Sequence, residues 1–254
     1  MERARGPQDY GAICMSAAQP LPALPSGPVS SVEQAMARMK DISAALPITD
    51  GLACFNRMYL VVTQRVFTEV AKGNFYADPA FMFHLDVVFA NLYLGAIDGF
   101  RADPPTSPCC WNDVLDNRSD THIAPMQFAL AGMSAHIIHD LPIAVVQTCE
   151  DLGTAPDQGT HAADFEKVNT VLGALDQQIR ESFETGVILD LDRKAAGLEN
   201  LIDNFGMDTL RQGAWVSATA LWDLRHEVLL SKGCIDGLGE AANLAEKALM
   251  LPLL

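Results

Sequence analysis

The chain has 254 residues, 49% of them hydrophobic and 19% charged, with 17 Lys and Arg against 32 Asp and Glu. A chain of this length buries roughly 70–75% of its unfolded surface and needs no disulfide or metal staple for bulk stability. A formal net charge of −15 excludes a general phosphate-backbone binder, whose affinity comes from clustered Lys and Arg, and disfavours docking on anionic lipid.

Residues 1–30 lack hydrophobic periodicity and are rich in Pro, Gly and Ala, which predicts a disordered N-terminal arm ahead of a single helical domain over 31–254. The two arginines and short apolar patch of the arm make a poor signal peptide, and no uninterrupted apolar run reaches the roughly 18–20 residues of a membrane span. A cytoplasmic protein without a membrane span is expected. Cys14, Cys54, Cys109, Cys110, Cys149 and Cys234 form no C-x-x-C pair and read as small buried hydrophobes in a reducing compartment.

Ser30 or Ser31 can cap a helix running to about Leu46, and Asp50 opens GLACFNRMYLVVTQRVFTEVAKG, which stops at Gly73. Asp78-Pro79 supplies an N-cap acceptor and then a proline at the first helical position. The helix it opens, AFMFHLDVVFANLYLGAIDGF, is apolar nearly all round and is expected at the centre. A proline-rich loop leads to a short piece at Trp111–Arg118 and then to a second apolar helix, PMQFALAGMSAHIIHDLPIAVVQTCEDLG, interrupted at Pro142. ADFEKVNTVLGALDQQIRESFETG, a stretch over 190–204, GMDTLRQGAWVSATALWDLRHEVLL closed by Gly233, and a last helix over 238–250 complete the pattern. VILDLD at 187–192 alternates like a strand but has no partner strand. The expected fold is all-α: a single-domain bundle of about seven to nine helices with two central apolar ones.

The informative residues are the polar ones inside those two helices, because a buried polar group needs a partner. They are His84, Asp86 and Asn91 in the first, and Gln127, Ser134, His136, His139 and Asp140 in the second. At about 100° per residue, His136 lies beside both His139 and Asp140. Pro142 cannot donate to the Ile138 carbonyl and its ring crowds it, so the helix is expected to bend beside this cluster.

Three readings follow. In the first, Asp140 orients His136 as a general acid or base, with His139 and Asp86 as further catalytic groups. Arg57, His84, Asn91, Gln127 and Ser134 then bind an apolar or mixed-polarity small molecule. A cofactor-independent cyclase, isomerase or lyase of specialised (natural product) metabolism fits, since no dinucleotide or Walker-type loop is present and no nucleic acid is expected. In the second, His136, Asp140 and Asp86 ligate a divalent metal such as zinc in a hydrolase. In the third, the cluster is a satisfied core network of a binding protein. The other histidines read as structural: His122 near a helix start, His161 in a loop, and His226 with Asp223 and Glu227 on a solvated face. Trp215 and Trp222 share one helix face and read as core.

The stretches FNRMYLVVTQRV, DPAFMFHLDVVFANLYLGA, QFALAGMSAHIIHDLPIAVVQTC, DFEKVN and AWVSATALWDLR resemble a helical domain family of unknown function common in actinobacteria. The resemblance implies a single helical domain and carries no established reaction. The family's central motif usually reads NAHINHDLP. Ser134 and Ile138 stand here in place of its two asparagines, which implies a less polar site wall and a more apolar substrate. A fainter likeness links His136 and Asp140 to the H-x-x-x-D pair of zinc-dependent phospholipases C. Another links His139-Asp140, with His84 and Asp190 as remote ligands, to the "HD" phosphohydrolases.

Overall fold

Local signals start most of the helices where the sequence places them. The computed structural model describes residues 20–71, 73–102, 108–184 and 205–251. Helix α1 (Val32–Ala45) begins at Ser31, whose hydroxyl accepts from the Gln34 N–H. Helix α2 (Gly51–Ala71) begins after Asp50, whose carboxylate accepts from the Leu52 N–H at 3.0 Å. The charge of that cap is matched by the buried Arg118 guanidinium. Helix α3 (Pro79–Ala102) starts at Asp78-Pro79, with Asp78 accepting from Phe81. The short α4 (Cys109–Asn117) follows, then α5 (Pro125–Ala135), a π-helical turn (His136–Asp140) and α6 (Leu141–Leu152) as one continuous rod. Helices α7 (His161–Glu184), α8 (Met207–Leu224) and α9 (Val228–Leu249) complete the described part.

These elements form a single all-α bundle with α5 and the π-turn at its middle. Met126 to Ile137 are all buried, because α2, α4 and α9 pack around α5 while α3, α8 and α9 contact the π-turn. The helices Pro79–Ala102 and Pro125–Leu152 are each long and apolar enough to cross a membrane. Single polar residues divide both, so neither contains an unbroken apolar run of that length. In the most apolar window of the second, 89% of residues lie inside the bundle, against 44% for the first.

Three features depart from the expected pattern. Residues 24–29 are not loose. Arg38 donates to the carbonyls of Pro25 and Gly27, Asn91 pairs with both backbone groups of Val29, and Leu24 is buried. These contacts hold residues 24–29 of the predicted arm against α1 and α3; residues 1–19 lie outside the described residues. The predicted helix ending at Gly233 divides instead at Arg225–Glu227, and α9 then runs through Gly233, Gly237 and Gly239. Each glycine costs roughly 1 kcal/mol of helix propensity, which packing on α4 and α5 outweighs. The segments predicted at 187–192 and 190–204 lie outside the described residues.

Two glycines set how closely α2 and α5 approach. A Cβ on Gly132 would lie 2.6 Å from Phe55 Cγ, and one on Gly51 would lie 2.5 Å from the Phe128 ring. Because Phe55 is fully buried, it cannot yield without displacing its neighbours. Gly132→Ala is expected to lower unfolding free energy by about 1–3 kcal/mol in urea denaturation through overpacking, despite alanine's better helix propensity. A neutral or stabilising result would show that this helix pair is not tightly packed.

Candidate active site

The site is organised by one irregular turn. Pro142 has no N–H to continue the α-helical ladder, and its ring crowds the carbonyl four residues back. The rod meets this constraint by widening rather than breaking: the Leu141 N–H bonds to the His136 carbonyl, one residue further back than in an α-helix. Such single π-turns recur where side chains must be re-aimed. Here the turn comprises His136, Ile137, Ile138, His139 and Asp140.

Asp140 is the hub. Its Oδ2 accepts from His136 Nδ1 at 2.9 Å and from Trp111 Nε1 at 3.0 Å, while Oδ1 accepts from His139 Nδ1 at 2.7 Å. All four residues are buried. Burial by itself would raise the Asp140 carboxyl, but the hydrogen bonds from His136 and His139 outweigh it and hold the group below its ordinary value. It is therefore a carboxylate, and each histidine presents Nδ1–H to it. Burial lowers His136 below the usual imidazole value against the opposing pull of Asp140. His136 is thus neutral near pH 7, with its lone pair on Nε2. That Nε2 is buried and has no hydrogen-bond partner among the described residues. Phe89 stacks on the imidazole at a centroid distance of 3.5 Å, and Tyr59 meets it edge-on at 4.6 Å.

His136 forms part of the wall of a cavity of about 60 Å³ between α2, α3, the π-turn, α7 and α8. Most of the wall is apolar or aromatic; Asp86 and Arg211 bring the charge. Asp86 makes no hydrogen bond or ion pair with the described residues. Burial pushes its carboxyl up to about 7, with Arg211 pulling the other way. Arg211 is held rigidly: Nε donates to Asn169 Oδ1 at 2.7 Å, Nη2 donates to the Phe165 carbonyl at 3.0 Å, and the guanidinium lies over the Phe165 ring. One cavity is thus lined by His136, whose Nε2 is unpartnered among the described residues, by a carboxyl pushed up to about 7 and by a guanidinium.

The sequence-predicted residues divide. His136, His139 and Asp140 come together, and Asp86 shares the cavity with His136. The five expected binding residues do not line it. Arg57 donates to the Ile48 carbonyl at 2.6 Å, closing the loop between α1 and α2. His84 pairs with Asp151 at 2.8 Å on the outer surface. Asn91 ties down Val29, and Gln127 caps the start of α5 while donating to the carbonyls of Leu249 and Leu251. Ser134 is buried in α5 but away from the cavity. Arg57, Asn91 and Gln127 thus serve the backbone of neighbouring segments, whereas His84 serves a side chain.

Other assignments shift as well. His161 is not a loop residue: it starts α7, is buried, and stacks on Phe81 at 3.9 Å. Trp215 and Trp222 are only partly buried, against Phe165 and Arg225 respectively. His122, His226, Asp223 and Glu227 are exposed, as expected. Asp190 lies outside the described residues.

Arg211 and Trp111 are the functional candidates that sequence reasoning missed. Arg211 sits in a segment that reads as an ordinary amphipathic helix, and Trp111 in a short loop-flanked piece. The one available signal was the DFEKVN stretch, which supplies the Asn169 that holds Arg211.

The metal set His136, Asp140 and Asp86 does not converge. Asp140 faces Trp111 and the two histidines and does not line the cavity that Asp86 enters. Among the described residues, the donor atoms that lie within 4.8 Å of one another belong to Cys110, His139 and Asp140. An ion there would have to displace the His139 hydrogen bond on Asp140 Oδ1.

The fold and site define a helical protein that encloses a small, largely apolar cavity beside a buried His–Asp–His cluster. The chain belongs to the family of unknown function DUF5995, which matches residues 32–252. No curated protein and no solved structure matches it.

Raising a carboxyl pKa on folding means that the folded state holds the proton more tightly. Folding stability is therefore lost as pH rises from about 4 to about 7 and is level above that. Asp86→Asn, which keeps the shape and removes the charge, is expected to raise unfolding free energy at pH 8 by about 1–3 kcal/mol. The gain should shrink as pH falls from 7 toward 4, as read by urea denaturation. A gain independent of pH would mean that Asp86 titrates as an ordinary carboxyl.

Proposed function

We propose that this protein is a cofactor-independent enzyme of the isomerase, cyclase or lyase type, using His136 as a general base on a small molecule in the cavity. The observation that carries this is the state of His136. Nδ1–H is held by a carboxylate, the ring is fixed between the Phe89 face and the Tyr59 edge, and the lone pair of Nε2 has no partner among the described residues. A core histidine serving stability alone would have both nitrogens satisfied.

In this reading, Nε2 takes a proton from a carbon beside a substrate carbonyl, and Asp140 stabilises the resulting imidazolium through Nδ1–H. Asp86, which burial holds partly protonated near pH 7, gives its proton to the carbonyl oxygen as the enol forms. Return of the proton from His136 to a different carbon, with that of the enol passing back to Asp86, completes an isomerisation. If instead the next carbon carries a leaving group, that group departs with the electron pair of its bond as the enol proton returns to Asp86, and it takes the proton held on His136, which makes the step a lyase reaction. The enclosing aromatic wall suits an apolar or mixed-polarity substrate and excludes water from the enol. No nucleic acid and no membrane enter this reading; the apolar helices α3 and α5–α6 supply the wall of the cavity.

Two measurements test it. Nitrogen-15 NMR of the imidazoles is expected to show His136 protonated on Nδ1 and bare on Nε2 at pH 7; a protonated Nε2 would sink the proposal. In D₂O with a panel of small carbonyl compounds, the protein is expected to introduce deuterium beside the carbonyl of its substrate class. Folded His136→Gln should slow this by about 10²-fold or more. An unchanged rate in that variant would overturn the assignment, and loss of exchange on chelation would transfer the reaction to a metal.

A further inference from the structure

Arg211 poses a problem that the acid–base reading leaves unsolved. It is only 7% exposed, and among the described residues no carboxylate lies within ion-pairing distance of it. Its two hydrogen bonds go to neutral oxygens, those of Asn169 and the Phe165 main chain, and its Nη1 takes part in neither. A buried charge without a counter-charge is costly, and the usual outcome is a paired or ligand-bound group. The wall of the same cavity holds one carboxyl, Asp86, which does not approach within 4 Å to form an ion pair and makes no hydrogen bond with the described residues. The arrangement is a fixed guanidinium, a carboxyl that can be neutral, and a bare imidazole nitrogen around a space bounded by Phe89, Phe165, Leu85 and Val168.

We propose that the cavity binds a short-chain organic carboxylate, with its carboxylate group on Arg211 and the rest of its chain, which carries the reacting carbonyl, between Asp86 and His136. This rests on the acid–base reading and names its substrate class. Two features select a carboxylate. One guanidinium balances one negative charge, so a phosphate dianion would remain half-uncompensated in an apolar enclosure. The cavity of about 60 Å³ has a largely apolar lining and suits a small occupant. Asn169 and the Phe165 carbonyl fix the guanidinium before the ligand arrives, so little side-chain entropy is lost on binding. The carboxylate anchor thereby sets which carbon of the chain faces His136 Nε2. Arg211 acts as the specificity-determining residue, whereas the sequence reading placed Arg57 among the substrate-binding residues.

The test titrates the full chain with acetate, propionate and butyrate, and in parallel with propionamide and inorganic phosphate. Ligand-observed NMR and thermal shift report binding. Propionate is expected to bind with roughly millimolar affinity and to raise the melting temperature, whereas propionamide and phosphate do neither. Arg211→Gln should weaken propionate at least about tenfold. Should that variant fail to fold, the comparison of propionate with propionamide on the wild-type protein stands by itself. Equal affinity for the two, or no binding of any carboxylate in the series, overturns the proposal. Propionate binding that survives in a His136→Gln protein lacking deuterium exchange would confirm the anchor and the base separately. Binding by Arg211 with no imidazole role would leave the anchor intact and remove the acid–base reading alone.

Discussion

The structure depends on keeping the Asp140 carboxylate charged inside a helical core. Taking an isolated carboxylate out of water costs several kcal/mol even after relaxation, and the group would ordinarily be neutralised instead. Here three N–H donors converge on it, from His136, His139 and Trp111. Both histidines lie on the widened turn that precedes Pro142, which has no N–H to continue the α-helical ladder. The indole arrives from α4, a nine-residue helix. One helical irregularity and one short helix are thus bound to a single buried charge.

That requirement also fixes what the other side of His136 can do. With Nδ1 committed to Asp140, the ring cannot rotate or change tautomer without stranding a buried carboxylate. The free nitrogen is therefore held in one direction and one protonation state. The neighbouring cavity sharpens this, because the dry surroundings that keep His136 neutral also keep Asp86 partly protonated. Low dielectric shifts a base and an acid toward their neutral forms together, and so toward the forms in which each can take or give a proton near pH 7.

How much of this was legible in the sequence follows the range of the interactions concerned. Ser31, Asp50 and Asp78-Pro79 mark helix starts because capping acts over three residues. The His136–Asp140 pair is visible because it lies within one helical turn. The five residues assigned to substrate lie outside the cavity that His136 lines, and their sequence signal was ambiguous for one reason. A polar residue in an apolar pattern announces that it has a partner, without saying whether the partner is a ligand or a distant backbone group. Asn91 and Gln127 reach chain segments 62 and 122 residues away. Arg211 failed in the opposite sense, since an arginine in an amphipathic helix looks solvated until Phe165 and Asn169 are packed over it.

By itself, then, the sequence determined the helical class, the position of most helix starts, the irregular turn at Pro142 and the histidine–carboxylate cluster. All of these follow from dihedral preferences and from hydrogen bonds within one or two turns. Tertiary structure alone decided that Trp111 completes the ring of donors on Asp140, that Asp86 and His136 line one cavity, and that Arg211 is the cation of that cavity. These depend on which helix faces which across the bundle, and that choice is made by the summed burial of many side chains rather than by any local pattern.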